Sequence, residues 1–100
     1  MAGHDSTDAV RALIERIPEG RVVTYGDLAR AVHVGPRQVG QILARNGHDL
    51  AWWKVVDASG HPPQNARETA AQHYEDEGIP FHRAGDRVTV NLIECRWQIR

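Results

Sequence analysis

Apolar residues at Ala9, Val10, Leu13, Ile14 and Ile17 recur at the three- and four-residue spacing that places them on one helix face, so the pattern predicts an amphipathic helix from Asp5 to Ile17. Asp5 or Ser6 has a side chain able to cap its start, and Pro18-Glu19-Gly20 ends it. Arg21-Val22-Val23 follows as a short extended link. Thr24-Tyr25-Gly26-Asp27 has the form of a capping box, with Thr24 as N-cap and the Asp27 carboxylate reaching back. It opens a second, short helix to about Val32, which His33-Val34-Gly35 breaks. Pro36, at a first-turn position where its missing N–H costs nothing, opens a third helix through Val39, Ile42 and Leu43 to an Asn46-Gly47 C-cap. Two short helices joined by a few residues containing glycine make a helix-turn-helix. In that motif the second helix enters the major groove with its N-terminal residues leading, which singles out Pro36, Arg37, Gln38 and Gln41 as candidate DNA contacts.

Trp52-Trp53-Lys54-Val55-Val56 is aromatic and β-branched and predicts a strand, closed by the turn chemistry of Asp57-Ala58-Ser59-Gly60. His61 to Asn65 continues as an irregular loop, and Arg67 to Glu77 predicts a helix ended by Gly78. Ile79-Pro80-Phe81 and Val88-Thr89-Val90 flank the turn Ala84-Gly85-Asp86 as a hairpin in the place of a wing. The predicted fold is α+β and mainly helical: one winged helix-turn-helix-like domain over residues 1–100 with a short C-terminal hairpin.

Composition changes this picture little. One hundred residues hold one core and no second domain. The hydrophobic fraction of 41% and charged fraction of 25% are ordinary, and no apolar run is long enough to cross a bilayer. The first residues lack the basic and apolar segments of a leader, so the expected location is cytoplasmic. No dimerisation helix is evident, and a monomer is expected. The net charge of −1 hides a local bias, because Arg21, Arg30, Arg37, Arg45 and Lys54 face only Asp27 and Asp49 in the helix-turn-helix region. Cys95 is the single cysteine and is expected to be a buried structural thiol. The six histidines have no helical pair spacing and no zinc-finger partner, so they read as solvated or capping residues, with no metal and no cofactor.

The stretch Ile17-Pro18-Glu19-Gly20-Arg21-Val22-Val23-Thr24-Tyr25-Gly26-Asp27-Leu28-Ala29 resembles the opening of the DNA-binding domain of O6-alkylguanine-DNA alkyltransferases. Pro36-Arg37-Gln38-Val39-Gly40-Gln41-Ile42-Leu43 is similar to that family's recognition helix, with Arg37 at its intercalating arginine and Asn46 at its hinge asparagine. Ala51-Trp52-Trp53-Lys54-Val55-Val56 sits where the family carries Pro-Cys-His-Arg-Val-Val or -Ile, and the tail from Glu77-Gly78 is also family-like. Trp52 stands in place of the acceptor cysteine, which removes the thiolate nucleophile. That substitution resembles the alkyltransferase-like proteins, and the resemblance implies a protein that binds double-stranded DNA containing O6-alkylguanine without repairing it and presents the site to nucleotide excision repair. Ala51, Trp53 and Lys54 depart from the family at its proline, histidine and arginine.

The chemistry follows from the need to take a base out of the stack before a pocket can hold it. Arg37 has the length, planarity and charge to fill the vacated place and bond the orphaned partner base. Tyr25 is placed to press on the phosphate beside the target, and Thr24 and Asn46 complete the DNA-contact set. On a strand the two adjacent indoles would point to opposite faces and could not both line one pocket wall; Trp52, in the cysteine's place, is the expected stacking surface, and Tyr25 and Trp53 are also counted in the expected lesion pocket. Lys54, Gln64 and Arg67 are candidate phosphate or lesion-loop contacts, and Val56 and Ser59 complete the expected lesion pocket. Two other functions compete with this one. A winged-helix transcription regulator would prefer a particular undamaged sequence, and an alkyltransferase working through Cys95 would carry the alkyl group on that residue.

Overall fold

The computed structural model describes residues 2–99, with side chains described from Ser6 onward. Helix α1 covers Ala2–Arg16, so it starts upstream of the cap expected at Asp5 or Ser6. The Asp5 side chain lies outside the described residues. Strand β1 (Val23–Thr24) leads directly into α2 (Tyr25–Val32), and α3 covers Pro36–Asn46. After a 3₁₀ turn at Trp52–Lys54 comes β2 (Val55–Val56); a second 3₁₀ turn, Gln64–Ala66, precedes α4 (Arg67–Glu77). The hairpin strands are β3 (Phe81–Ala84) and β4 (Arg87–Val90), and α5 (Leu92–Cys95) follows. No described helix is long and apolar enough to cross a membrane.

Two hydrophobic clusters meet at the small parallel sheet. β1 pairs with β2 in the register Val23↔Val55 and Thr24↔Val56. Successive strand residues point to opposite faces, and the sheet uses this to partition the interior. Val23 and Val55 join Val10, Ile14, Leu28 and Val39 in the core of the first three helices. Val22 and Val56 join Tyr74, Val88, Val90 and Cys95 in a core under α4 and the hairpin. Both helices of the helix-turn-helix sit in the crossover between β1 and β2, so pairing these strands fixes the ends of the motif.

The sequence pattern holds for α2, α3 and α4. Thr24 caps α2 and the capping box is complete; Pro36 is at the start of α3, and Gly78, at φ 72°, ends α4. The expected strand at 52–56 is shorter. Lys54 would have to pair with Val22, but Val22 bridges Arg96 instead, its N–H on Cys95 O at 2.9 Å and its carbonyl accepting from Trp97 N–H at 2.7 Å, so Trp52–Lys54 coils and only Val55 and Val56 find strand partners. The hairpin is shifted by a few residues from the predicted ends, running Phe81↔Val90 to Ala84↔Arg87. It packs on α4 and on the turn after β2. Gly60, at φ 92°, is held there by the Val90 N–H, 2.8 Å from its carbonyl, and a Cβ on it would meet Val90 O at 2.5 Å.

Candidate nucleic-acid interface

The start of α2 is built to hold one side chain. Thr24 is buried, its hydroxyl accepts from Asp27 N–H at 3.0 Å, and Asp27 Oδ2 accepts from Thr24 N–H at 3.0 Å. Thr24 was expected among the DNA contacts, but its hydroxyl is engaged in the cap. What it presents is Tyr25, the first residue of α2. Burial, and then the Asp57 carboxylate, push the Tyr25 phenol above its ordinary value, so it stays a protonated donor.

Helix α3 is anchored by buried Val39 and Ile42 and leaves Pro36, Arg37, Gln38 and Gln41 exposed. Gly40, Ala44 and Gly47 form a stripe of small residues on one face, and Arg37 lies one turn upstream on that same stripe. The missing side-chain bulk opens a cleft of about 410 Å³ between α3 and the loop before α4, lined also by Tyr25, Leu43, Trp52, Pro63 and Asn65. The structure therefore brings Tyr25, Trp52 and the face that carries Arg37 together. Gln38, Gln41 and Asn46 line a smaller groove towards Thr7 on α1. The Asn46 side chain makes no hydrogen bond among the described residues. The turn after α3 is held instead by Gly47 N–H on Leu43 O at 2.9 Å, and by Arg11, which reaches the Asn46 carbonyl and pairs with Asp49 at 2.9 Å.

The two indoles are both half-buried and belong to one aromatic cluster, since the 3₁₀ turn does not send them to opposite faces. Their centroids lie 5.7 Å apart at 85°. Trp53 stacks flat on His73 at 3.5 Å and 4°, and its Nε1 donates to Glu77 Oε2 at 2.7 Å. His73 is thus a packing residue and not a solvated one. Trp53 lines neither cleft, whereas Trp52 lines the apolar one and its indole N–H has no hydrogen-bond partner among the described residues.

Four expected pocket residues are elsewhere, the first being Trp53, which the 3₁₀ turn lays against His73 and Glu77. Lys54 is buried, with Nζ 3.2 Å from Glu77 Oε1 and within 3.4 Å of the carbonyls of Ile17 and Pro18, because a buried ammonium needs a counter-charge and acceptors. Val56 is fully buried in the second core. Ser59 is exposed on the turn and lines neither cleft. Gln64 and Arg67 line a second cleft of about 330 Å³ with Tyr25, Asp57, His61, Pro63 and Arg87. Arg87 was not expected there, since only the folding of the hairpin over the loop brings it in. Among the described residues no group of His, Cys, Asp and Glu is arranged to hold a metal ion.

The cations divide by their partners. Arg11, Arg30, Arg83 and Arg96 are paired with carboxylates. Arg37, Arg45 and Arg87 have no hydrogen-bond or ion-pair partner among the described residues; Arg37 and Arg45 lie on α3, Arg45 in the smaller groove, and Arg87 lines the second cleft. Cys95 is buried in the second core, away from both clefts, and its Sγ donates to Asn91 O at 3.1 Å. Burial pushes its thiol up, disfavouring the thiolate.

Residues 5–79 match the family described as the 6-O-methylguanine DNA methyltransferase DNA-binding domain. A DNA base-flipping protein of Vibrio parahaemolyticus is 33% identical over 93 residues, which are 87% of this chain and 90% of that protein. A methylated-DNA–protein-cysteine methyltransferase of Methanopyrus kandleri is 47% identical over 53 residues, 51% of this chain and 40% of that protein. The crystal structure of S. pombe Atl1 in complex with damaged DNA containing O6-carboxymethylguanine superposes with a TM-score of 0.85 at 25% identity, covering 96% of this chain and 97% of that one.

Proposed function

The chain belongs to the 6-O-methylguanine DNA methyltransferase DNA-binding domain family as an alkyltransferase-like member, and from that premise we propose that it binds DNA containing O6-alkylguanine by flipping the modified nucleotide, without transferring the alkyl group. The observation that carries this reading is Trp52 on the wall of a cleft whose other wall is the small-residue face of α3 that begins at Arg37. A flipped base in this cleft stacks on the indole, which supplies about 1 to 3 kcal/mol per stacked base. Arg37 enters the duplex from the leading end of α3 and bonds the base left behind. Tyr25 turns the phosphate beside the target. No thiolate faces the cleft, so the adduct stays on the base and the complex persists as a marker that nucleotide excision repair can act on.

The test is equilibrium binding of matched duplexes with guanine or O6-methylguanine at one stated salt concentration, because electrostatic affinity depends steeply on salt. The expected result is tighter binding to the methylated duplex and an unchanged protein mass after incubation. Equal affinities would refute lesion recognition, and a mass gain of one methyl group would refute the non-catalytic reading.

A further inference from the structure

Tyr25 and Pro63 separate the Trp52 cleft from the second, more polar cleft, and each lines both. The far side of the polar cleft carries two guanidiniums, Arg67 from the start of α4 and Arg87 from the start of β4. Arg87 has no hydrogen-bond or ion-pair partner among the described residues. Arg67 donates once, from Nη1 to the Gln64 carbonyl at 2.9 Å, and its Nε is buried with no partner. The one acid in the lining is Asp57, and it is engaged by its own turn: Oδ1 accepts from Ser59 N–H and His61 N–H at 2.9 Å, and Oδ2 lies 3.4 Å from His61 Nδ1.

Two arginines in one recess repel each other, and a guanidinium fork matches paired anionic oxygens. We propose that this cleft is a subsite for an anionic oxygen group of the nucleotide held in the Trp52 cleft. That group is either the carboxylate of a carboxyalkyl adduct on guanine O6 or the phosphate beside the flipped nucleotide. Tyr25 and Pro63 border both clefts, so a substituent that extends past them from a stacked base enters the polar one. The inference rests on the flipping reading above and adds a charge preference to it. Arg87 is its distinguishing residue, because no other described residue uses its guanidinium.

The experiment measures binding of four matched duplexes, carrying O6-carboxymethylguanine, its neutral isostere O6-carbamoylmethylguanine, O6-methylguanine or guanine, at two salt concentrations. The proteins are the unmodified chain, Arg87→Gln, Arg87→Lys, and Arg83→Gln as a control on the same hairpin, where the arginine is already paired with Glu68. If the group is the adduct carboxylate, the carboxymethyl duplex binds about tenfold tighter than the carbamoyl one, Arg87→Gln removes that ratio, and Arg87→Lys keeps part of it. If it is a phosphate, Arg87→Gln weakens all four duplexes alike and lowers the salt slope by about one. An Arg87→Gln protein that matches Arg83→Gln in both the ratio and the salt slope overturns the subsite. Failure of the flipping reading is separate, because it is read in the unmodified chain as equal affinity for the O6-methylguanine and guanine duplexes.

Discussion

Asp27 controls how firmly Tyr25 is held, and Asp27→Asn tests this. The carboxylate closes the capping box on Thr24 N–H and pairs with Arg30 at 2.7 Å and Arg96 at 2.6 Å. Its own side chain is 10% exposed, but the two arginines are 71% and 43% exposed, so each pair is in good contact with solvent and worth about 0.5 kcal/mol. Asparagine retains an acceptor for Thr24 N–H and loses both ion pairs and the charge at the helix N-terminus, itself about 0.5 kcal/mol. The expected cost is about 1.5 kcal/mol, a fall in Tm of roughly 6 to 12 °C for a domain of this size. Burial pushes the Asp27 carboxyl up, but the Arg96 and Thr24 hydrogen bonds outweigh it and hold the group below the usual carboxylate value. Because the folded value is depressed, its stabilisation is complete above the unfolded value of about 4 and is lost as pH falls through the folded one. Thermal unfolding followed by circular dichroism from about pH 7 to about pH 3 should therefore show the two proteins converging in acid. A Tm difference that stays constant across that range would refute the electrostatic account.

Three further outcomes are expected. Arg37→Ala should reduce the ratio of affinities for O6-methylguanine and guanine duplexes by roughly tenfold, read by fluorescence anisotropy; an equal loss on both duplexes would make Arg37 a phosphate contact. Glu77→Gln leaves the Lys54 ammonium buried without its counter-charge and should cost about 3 kcal/mol in urea unfolding, whereas Glu75→Gln, on the exposed side of α4, should cost under about 0.5 kcal/mol. Cys95 should resist a thiol reagent until the protein unfolds and should gain no mass from an O6-alkylguanine substrate, since its thiol is buried and held above its ordinary value; rapid labelling of the folded protein would contradict that placement.

What was legible in the sequence is what local chemistry decides. The Thr24–Asp27 capping box, Pro36 at the start of α3 and Gly78 after α4 are each set by backbone needs within a turn, and each stands where the pattern put it. The Trp52–Val56 segment is different. Its β-propensity is strong, but strand length is set by the partner, and Val22, which Lys54 would face, is taken by the 95–97 segment. Lys54 shows the same limit, because its contacts with Ile17, Pro18 and Glu77 join three distant segments that no local pattern links. His73 and Arg87 likewise acquire their surroundings only when α4 and the hairpin fold over the loop. The stripe Gly40, Ala44 and Gly47 was open to reading as a face with room beside it, yet glycine and alanine on a short helix have many other causes.

The two tryptophans differ in how far the fold engages them. Trp53 is engaged on three sides: one face by His73, the indole N–H by Glu77, and the carbonyl by Tyr74 Oη at 2.6 Å. The Trp52 indole N–H has no partner among the described residues, and Trp52 keeps a place on the cleft wall, supported edge-on by Trp53 and by His73 at 6.3 Å. An indole cannot take an alkyl group as a thiolate does, so whatever selectivity the site has must come from affinity alone. On the proposed reading, flipping costs about a few kcal/mol, less for a damaged pair; stacking on Trp52 would return about 1 to 3, and a bidentate Arg37 contact a similar amount. The balance is therefore close to zero for guanine and becomes favourable only when the pair is already weakened or the adduct finds contacts of its own.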